Sequence, residues 1–227
     1  MKIMRWKMNL SSFVPTTAQM AYDEQLFEAF RETDAPILRF YHWDRPTLTL
    51  GKIEAKRLDL ASLAWPYEIR PTGGRAVLHG SGDLCYSLIA PVGDPLVGGS
   101  LLDSYRKISL ILAGALKTLG RDVALSETKH PALDAPHCFA SPAHAELLLG
   151  GKKVAGGAQA RREKVFLQQG VILLSVDPGW AKLAPPGAPI PIAGLNDDTS
   201  LTPVTRASLE AAVTHAFQAF GVEFKPF

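Results

Sequence analysis

Two cysteines among 227 residues cannot build a disulfide framework, and six histidines without metal-motif spacing make no zinc cluster. Free thiols point to the reducing cytosol, and no catalytic metal is expected. Long apolar runs are also missing. The longest nearly apolar stretch, Leu110–Leu116, falls far short of the roughly 20 residues that span a bilayer, so no membrane is expected as a partner. The N-terminal MKIMRWKMNLSSF has basic residues but no continuous apolar segment, and no secretory leader is expected there. Neither sign of charge dominates. Lys and Arg number 24 against 22 Asp and Glu, a net charge of +2, which gives no electrostatic reason to expect nucleic acid as a partner. Repeats, low-complexity tracts and charge runs are absent.

What remains is an ordinary globular composition, 47% hydrophobic and 20% charged. Three segments carry helical periodicity. Thr17–Phe30 aligns Ala18, Ala21/Tyr22, Leu26 and Phe30 on one face. Leu101–Leu119 repeats Leu101, Tyr105, Ile108, Leu112, Ala115 and Leu119 every three or four residues, with Ser100 and Asp103 placed for a capping box and Gly120 as the stop. Ala207–Phe220 turns Leu209, Ala212/Val213, Ala216/Phe217 and Phe220 inward, and Gly221 ends it. Between them run short strand-like segments: Ile37–Trp43, Leu48–Leu50, Ala76–His79, Leu84–Ile89, Ala145–Leu149, Lys153–Ala158 and Val165–Leu174. Several follow one another with no room for a crossover helix, which predicts an α+β fold with mixed, mainly antiparallel sheets flanked by helices. The Pro- and Gly-rich stretch Gly179–Asn196 reads as a surface loop, and residues 1–227 as one domain.

Chemistry concentrates in three stretches. In Arg70-Pro-Thr-Gly-Gly-Arg-Ala-Val-Leu-His79, the paired glycines let a backbone approach a ligand while Arg70 and Arg75 supply charge. This suits a phosphate, a carboxylate or a thioester carbonyl, and equally a plain turn between strands. In Gly150-Gly-Lys-Lys-Val-Ala-Gly-Gly-Ala-Gln159, strand alternation turns one lysine inward when the other is solvated. In Ala135-Pro-His-Cys-Phe-Ala-Ser-Pro142, Cys138 sits in a Pro-bounded loop beside His137, close in sequence to His144 and the lysine pair, a setting for a reactive thiol. Cys85 falls within an apolar strand and reads as an inert, buried side chain.

Taken together these stretches resemble the biotin/lipoate A/B protein ligase family, in which an Arg-x-(Ser/Thr)-Gly-Gly segment ending in Ala-Val-x-His precedes a Gly-(Arg/Lys)-Lys-(Val/Ile)-x-Gly segment. Arg70–His79 and Gly151–Ala158 match in order and spacing, as do Ala18–Asp23 and Tyr41-x-Trp43-x-x-Pro46-Thr47-x-x-Leu50-Gly51. The resemblance runs from about residue 16 to about residue 180. Arg75, in place of a third glycine, and Cys138-Phe139 ahead of the lysine motif look most like the cysteine-dependent lipoyl octanoyltransferases. That resemblance implies a single acyltransferase/ligase-like catalytic domain without an accessory C-terminal domain. It also implies octanoyl-acyl carrier protein as donor, and a lipoyl domain or the glycine-cleavage H protein as acceptor. Cys138 would be the acyl-accepting nucleophile and Lys153 the lysine of the acyl pocket. Arg70, Thr72, Gly73, Gly74, Arg75 and His79 would complete that pocket, and the amides of Gly156 and Gly157 would serve the acyl carbonyl.

Such a transfer requires no cofactor, because a thioester is already activated. Two other readings stand beside it. One is an ATP-dependent lipoate or octanoate ligase using ATP and magnesium; the other is a non-catalytic protein that binds acyl groups or lipoyl domains. The chain departs from the family pattern at Gln169, where Gln168-Gln169-Gly170 replaces Gln-His-Gly, at Gly157 in place of Ser, and at Gly80 in place of an acid. An apolar tunnel lined by Val77, Leu78, Val154 and Ala155 is expected, with Arg70 and Arg75 nearer its mouth.

Overall fold

The computed structural model describes residues 3–10, 14–128, 138–139, 143–183 and 191–227. In chain order the elements are β1 (Met4–Leu10), α1 (Gln19–Ala29), β2 (Ile37–Tyr41), β3 (Thr47–Gly51), α2 (Lys52–Ala55), β4 (Tyr67–Arg70), β5 (Val77–His79), β6 (Leu84–Pro91) and α3 (Leu101–Thr118). They continue as β7 (Val123–Leu125), β8 (Leu147–Leu149), β9 (Lys152–Arg162), β10 (Val165–Ile172), α4 (Trp180–Leu183), α5 (Arg206–Ala219) and β11 (Val222–Pro226). Eight strands form one sheet in the order β11-β1-β2-β6-β10-β9-β8-β7, and three form a smaller sheet, β4-β3-β5. Parallel pairing joins β1 to β11 and to β2, and β3 to β4; every other pair is antiparallel. This is the mixed, mainly antiparallel α+β fold expected from the spacing of the strands.

The strands of the large sheet's centre are buried on both faces, and β6 accordingly reads as a nearly unbroken apolar run. Period-two alternation sorts its residues between two cores. Phe40, Tyr86 and Ile172 meet Ile108, Leu112 and Leu116 of α3 and Leu209 and Phe217 of α5. Tyr41, Cys85 and Val171 point the other way, toward Leu48, Leu50, Val77 and Leu78 of the small sheet. The space between the two sheets holds the cavity on which the candidate site residues converge.

Helix α3 starts where the sequence predicts. Ser100 Oγ accepts from the Asp103 amide, and the Asp103 carboxylate accepts from the Ser100 amide, an arrangement that typically stabilises a helix start by about 1 kcal/mol. Leu101 and, beyond α5, Phe220 are exposed rather than inward, because both stand at helix ends where the apolar stripe runs past the core. The face of α1 is also rotated from expectation. Its buried residues are Gln19, Met20, Asp23 and Phe27, while Ala21 is exposed. Asp23 faces inward because Arg39 of β2 meets it, with Nη1 2.6 Å from Asp23 Oδ1. The described part of Gly179–Asn196 is not wholly a surface loop: Trp180 and Ile192 are buried, and Lys153 and Ile192 form a parallel bridge. Residues 184–190 of that stretch, and His137, lie outside the described residues. Among the described residues no helix is long and apolar enough to cross a membrane.

Candidate active site

A part-open cavity with about 440 Å³ of empty space, counted out to its mouth, lies between the sheets. Strands β9 and β10 form its floor, β3, β4 and β5 its roof, and Cys138 and Phe139 one wall. The Cys138 backbone is fixed by donating to the Ala76 carbonyl at 3.1 Å. Its Sγ accepts from the Arg75 amide at 3.0 Å and lies 3.2 Å from the Arg75 carbonyl. Gly74 makes this approach possible. Its φ is +94°, and a Cβ there would stand 3.2 Å from both Cys138 Sγ and Arg70 Nη2. Gly51 does the same from beneath: a Cβ on it would lie 2.1 Å from the Gly74 carbonyl oxygen.

Arg70 holds the glycine loop closed. Nη1 donates to the Thr49 carbonyl at 2.7 Å and to Thr49 Oγ1 at 2.6 Å; Nη2 donates to the Gly73 and Arg75 carbonyls at 3.0 and 2.8 Å. The side chain is buried, not at the mouth, because four acceptors surround it and leave no reason to reach water. Burial lowers the guanidinium from its ordinary value, and the neighbouring Cys138 opposes that shift. The sulfur thus sits between a backbone N–H and a cation, groups that suit negative charge developing on it during attack.

Lys153 points inward and Lys152 outward, as strand alternation predicts. The Lys153 ammonium lies 2.7 Å from Glu146 Oε2, donates to the Cys138 carbonyl at 2.7 Å, and stands 4.3 Å from the centre of the Phe139 ring. Gly156 leaves the room for this: a Cβ on it would fall 2.6 Å from Lys153 Cε and 2.9 Å from Glu146 Oε1. Gly156 and Gly157 are in register with Val171 and Gly170 in the β9–β10 ladder.

Two polar systems back the cavity. Thr72 Oγ1 donates to Gln169 Oε1 at 2.8 Å, and Gln169 Nε2 donates to Asp23 Oδ2 at 2.6 Å. Asp23 also accepts from Arg39 and from Ser87 Oγ, and Arg39 donates to Gln19 Oε1. Burial raises the Asp23 carboxyl, against the lowering pull of Arg39 and the hydrogen bonds. The second system joins His79 Nε2 to Thr49 Oγ1 at 2.8 Å and His79 Nδ1 to Cys85 Sγ at 3.3 Å. Burial, helped by Arg70, lowers His79 to about 3, so the imidazole is neutral; burial pushes the Cys85 thiol up.

The structure therefore gathers Cys138, Lys153, Arg70, His79, Gly156 and Gly157 on one cavity, with Arg75 touching Cys138 through its backbone and Thr72 reaching Gln169. Gly73 and Gly74 are exposed. Of the expected apolar lining only Val77 faces this cavity; Leu78 packs into the small-sheet core and Val154 and Ala155 into the helix-side core, because the β9 residues that face the helices cannot also face the small sheet. Tyr41, Phe139 and Val171 line it instead. His144 is not among its lining residues. Glu146 has no signal in the sequence beyond being the lone acid ahead of three leucines.

The site is thus a cysteine-bearing cavity between a large mixed sheet and a small one, closed by an Arg-stapled glycine loop and an inward lysine. The lipoyl protein ligase A/B catalytic domain model matches residues 15–185, and the chain belongs to that family. It is 41% identical over 164 residues to Octanoyltransferase LipM of Carboxydothermus hydrogenoformans, covering 70% of this chain and 61% of that protein. Its identity to Octanoyltransferase LipM of Kyrpidia tusciae is 40% over 171 residues, covering 70% and 62%. The chain thus spans about three fifths of the length of these relatives. A crystal structure of lipoate-protein ligase A bound with ATP superposes at TM-score 0.77 and 22% identity, over 100% of this chain and 89% of that one, a likeness of fold.

Proposed function

We propose that this chain is an octanoyltransferase of lipoate assembly, taking an octanoyl group from acyl carrier protein through Cys138 to a lysine of a lipoyl domain or the glycine-cleavage H protein. One observation carries the reading: the Cys138 thiol facing the cavity has a backbone N–H on its sulfur and the Lys153 ammonium on its own carbonyl. The name Octanoyltransferase shared by the relatives supports the choice of acyl group.

In the first half-reaction the Cys138 sulfur attacks the carbonyl carbon of the donor thioester. A new S–C bond forms, the donor's C–S bond breaks, and the proton lost by Cys138 goes to the departing thiolate. In the second, the target lysine's neutral amine attacks the acyl carbon. An amide forms, the bond to Cys138 breaks, and the amine's proton returns to sulfur. The thioester supplies the driving force, so neither nucleotide nor metal has a step to perform. A cytosolic setting suits a mechanism that needs a free thiol.

The test is end-to-end transfer. Purified protein, octanoyl carrier protein and an apo lipoyl domain are mixed without nucleotide, and the domain is followed by mass. Octanoylation is expected; a strict requirement for ATP would contradict the reading.

A further inference from the structure

We propose that Glu146 is a positioning residue for acyl transfer, acting through Lys153; the proposal rests on the cysteine acyltransferase reading. An ammonium has three N–H donors and no acceptor. For Lys153, buried to 1% exposure, the Glu146 carboxylate and the Cys138 carbonyl take two of them, each at 2.7 Å. The ammonium is thereby fixed on the residue that would carry the acyl group. Without the carboxylate, a buried cation would lose its counter-charge, and the flexible lysine stem would be drawn toward water.

The backbone is arranged to present this acid. Ala145, just before it, has φ +64°, a left-handed conformation uncommon outside glycine. Such a conformation persists only where the surroundings determine it. Here they do: the Ala145 amide donates to the Ser126 carbonyl, and the Ser126 amide donates to the Glu146 carbonyl, both at 2.8 Å. The carboxylate itself is held by the Ala143 amide, 2.7 Å from Oε2. Opposite, Gly156 leaves the space that Lys153 and Glu146 occupy. Strand, turn and carboxylate all converge on one ammonium.

The experiment uses the purified chain and S-octanoyl-pantetheine, a small donor that needs no protein docking, with acyl-enzyme formation followed by intact mass. Glu146→Gln should lower kcat by about ten- to a hundredfold and leave the donor KM within about threefold, while Glu146→Asp should recover most of the loss. In a Lys153→Ala background the same Glu146→Gln change should cost less than about twofold, because its effect passes through the lysine. Full activity in Glu146→Gln, or losses that multiply between the two sites, would overturn the proposal. Should a thermal melt show Glu146→Gln unfolded, Glu146→Asp takes its place, and any loss it causes must vanish in the Lys153→Ala background. A wild-type chain that forms no acyl-enzyme overturns the acyltransferase reading itself, a result visible before any variant is compared.

Discussion

The two thiols belong to the same apolar cluster between the small sheet and the large one, yet their surroundings differ in kind. Cys85 is fully buried on β6, beside a neutral imidazole and away from any mouth. Cys138 is half-buried at the cavity, with an amide on its sulfur, a guanidinium nearby and an ammonium on its carbonyl. The same side chain is a small hydrophobe in one place and a candidate nucleophile in the other. What separates them is access and nearby positive charge, not residue type. The two surroundings meet at His79 of β5, which lines the cavity holding Cys138 and whose Nδ1 lies 3.3 Å from Cys85 Sγ.

Changing the cavity side should produce the largest effects. Lys153→Ala removes the ammonium from the Cys138 carbonyl and should slow transfer by about a hundred- to a thousandfold, whereas exposed Lys152→Ala should change it by less than about twofold. Steady-state transfer rates decide, and equal losses would reduce the lysine pair to a diffuse charge. Shortening the donor acyl chain from eight to four carbons removes about 0.8 kcal/mol per methylene from burial against Val77, Phe139 and Val171, lowering kcat/KM by about two hundredfold. A flat chain-length profile would mean that the tail does not enter this cavity.

On the core side the expected effects are on stability. Since His79 is lowered to about 3, the unfolded chain binds a proton below about pH 6.5 that the folded chain refuses. The His79 contribution is therefore fully present above that pH. It is lost as pH falls toward 3, at up to about 1.4 kcal/mol per unit. Denaturant melts across this window should fall more steeply for the wild type than for His79→Gln. Identical slopes would place a charged imidazole in the core. The smallest effect is expected for Cys85→Ala, about 1 kcal/mol of stability for a small void, with transfer within about twofold of wild type.

Much of this contrast was legible in the residues themselves. Strand alternation required one lysine of the pair to face inward and the family resemblance picked Lys153, a local pattern marked the Ser100 cap, and an apolar strand marked Cys85 as buried. Two of the misreadings share a physical cause, polar partners that hydrophobic periodicity does not register. Hydrophobic periodicity placed Ala21/Tyr22 and Leu26 on the inner face of α1, but the Asp23–Arg39 pair turns the helix so that Asp23 and Phe27 face in. Arg70 was expected near the mouth, yet carbonyls of the loop it staples and of β3 draw it inside. Glu146 escaped notice because its meaning lies in Lys153 on the next hairpin strand and in a strained turn that no local motif announces.

The central claim is that Cys138, and not Cys85, carries the acyl group. Wild type, Cys138→Ala and Cys85→Ala are incubated with octanoyl carrier protein in the absence of nucleotide, and the modified residue is located by peptide mass mapping before and after hydroxylamine. A hydroxylamine-labile octanoyl adduct on Cys138, retained in Cys85→Ala and lost in Cys138→Ala, is the predicted result. An adduct on Cys85, or acylation that survives Cys138→Ala, would contradict the account.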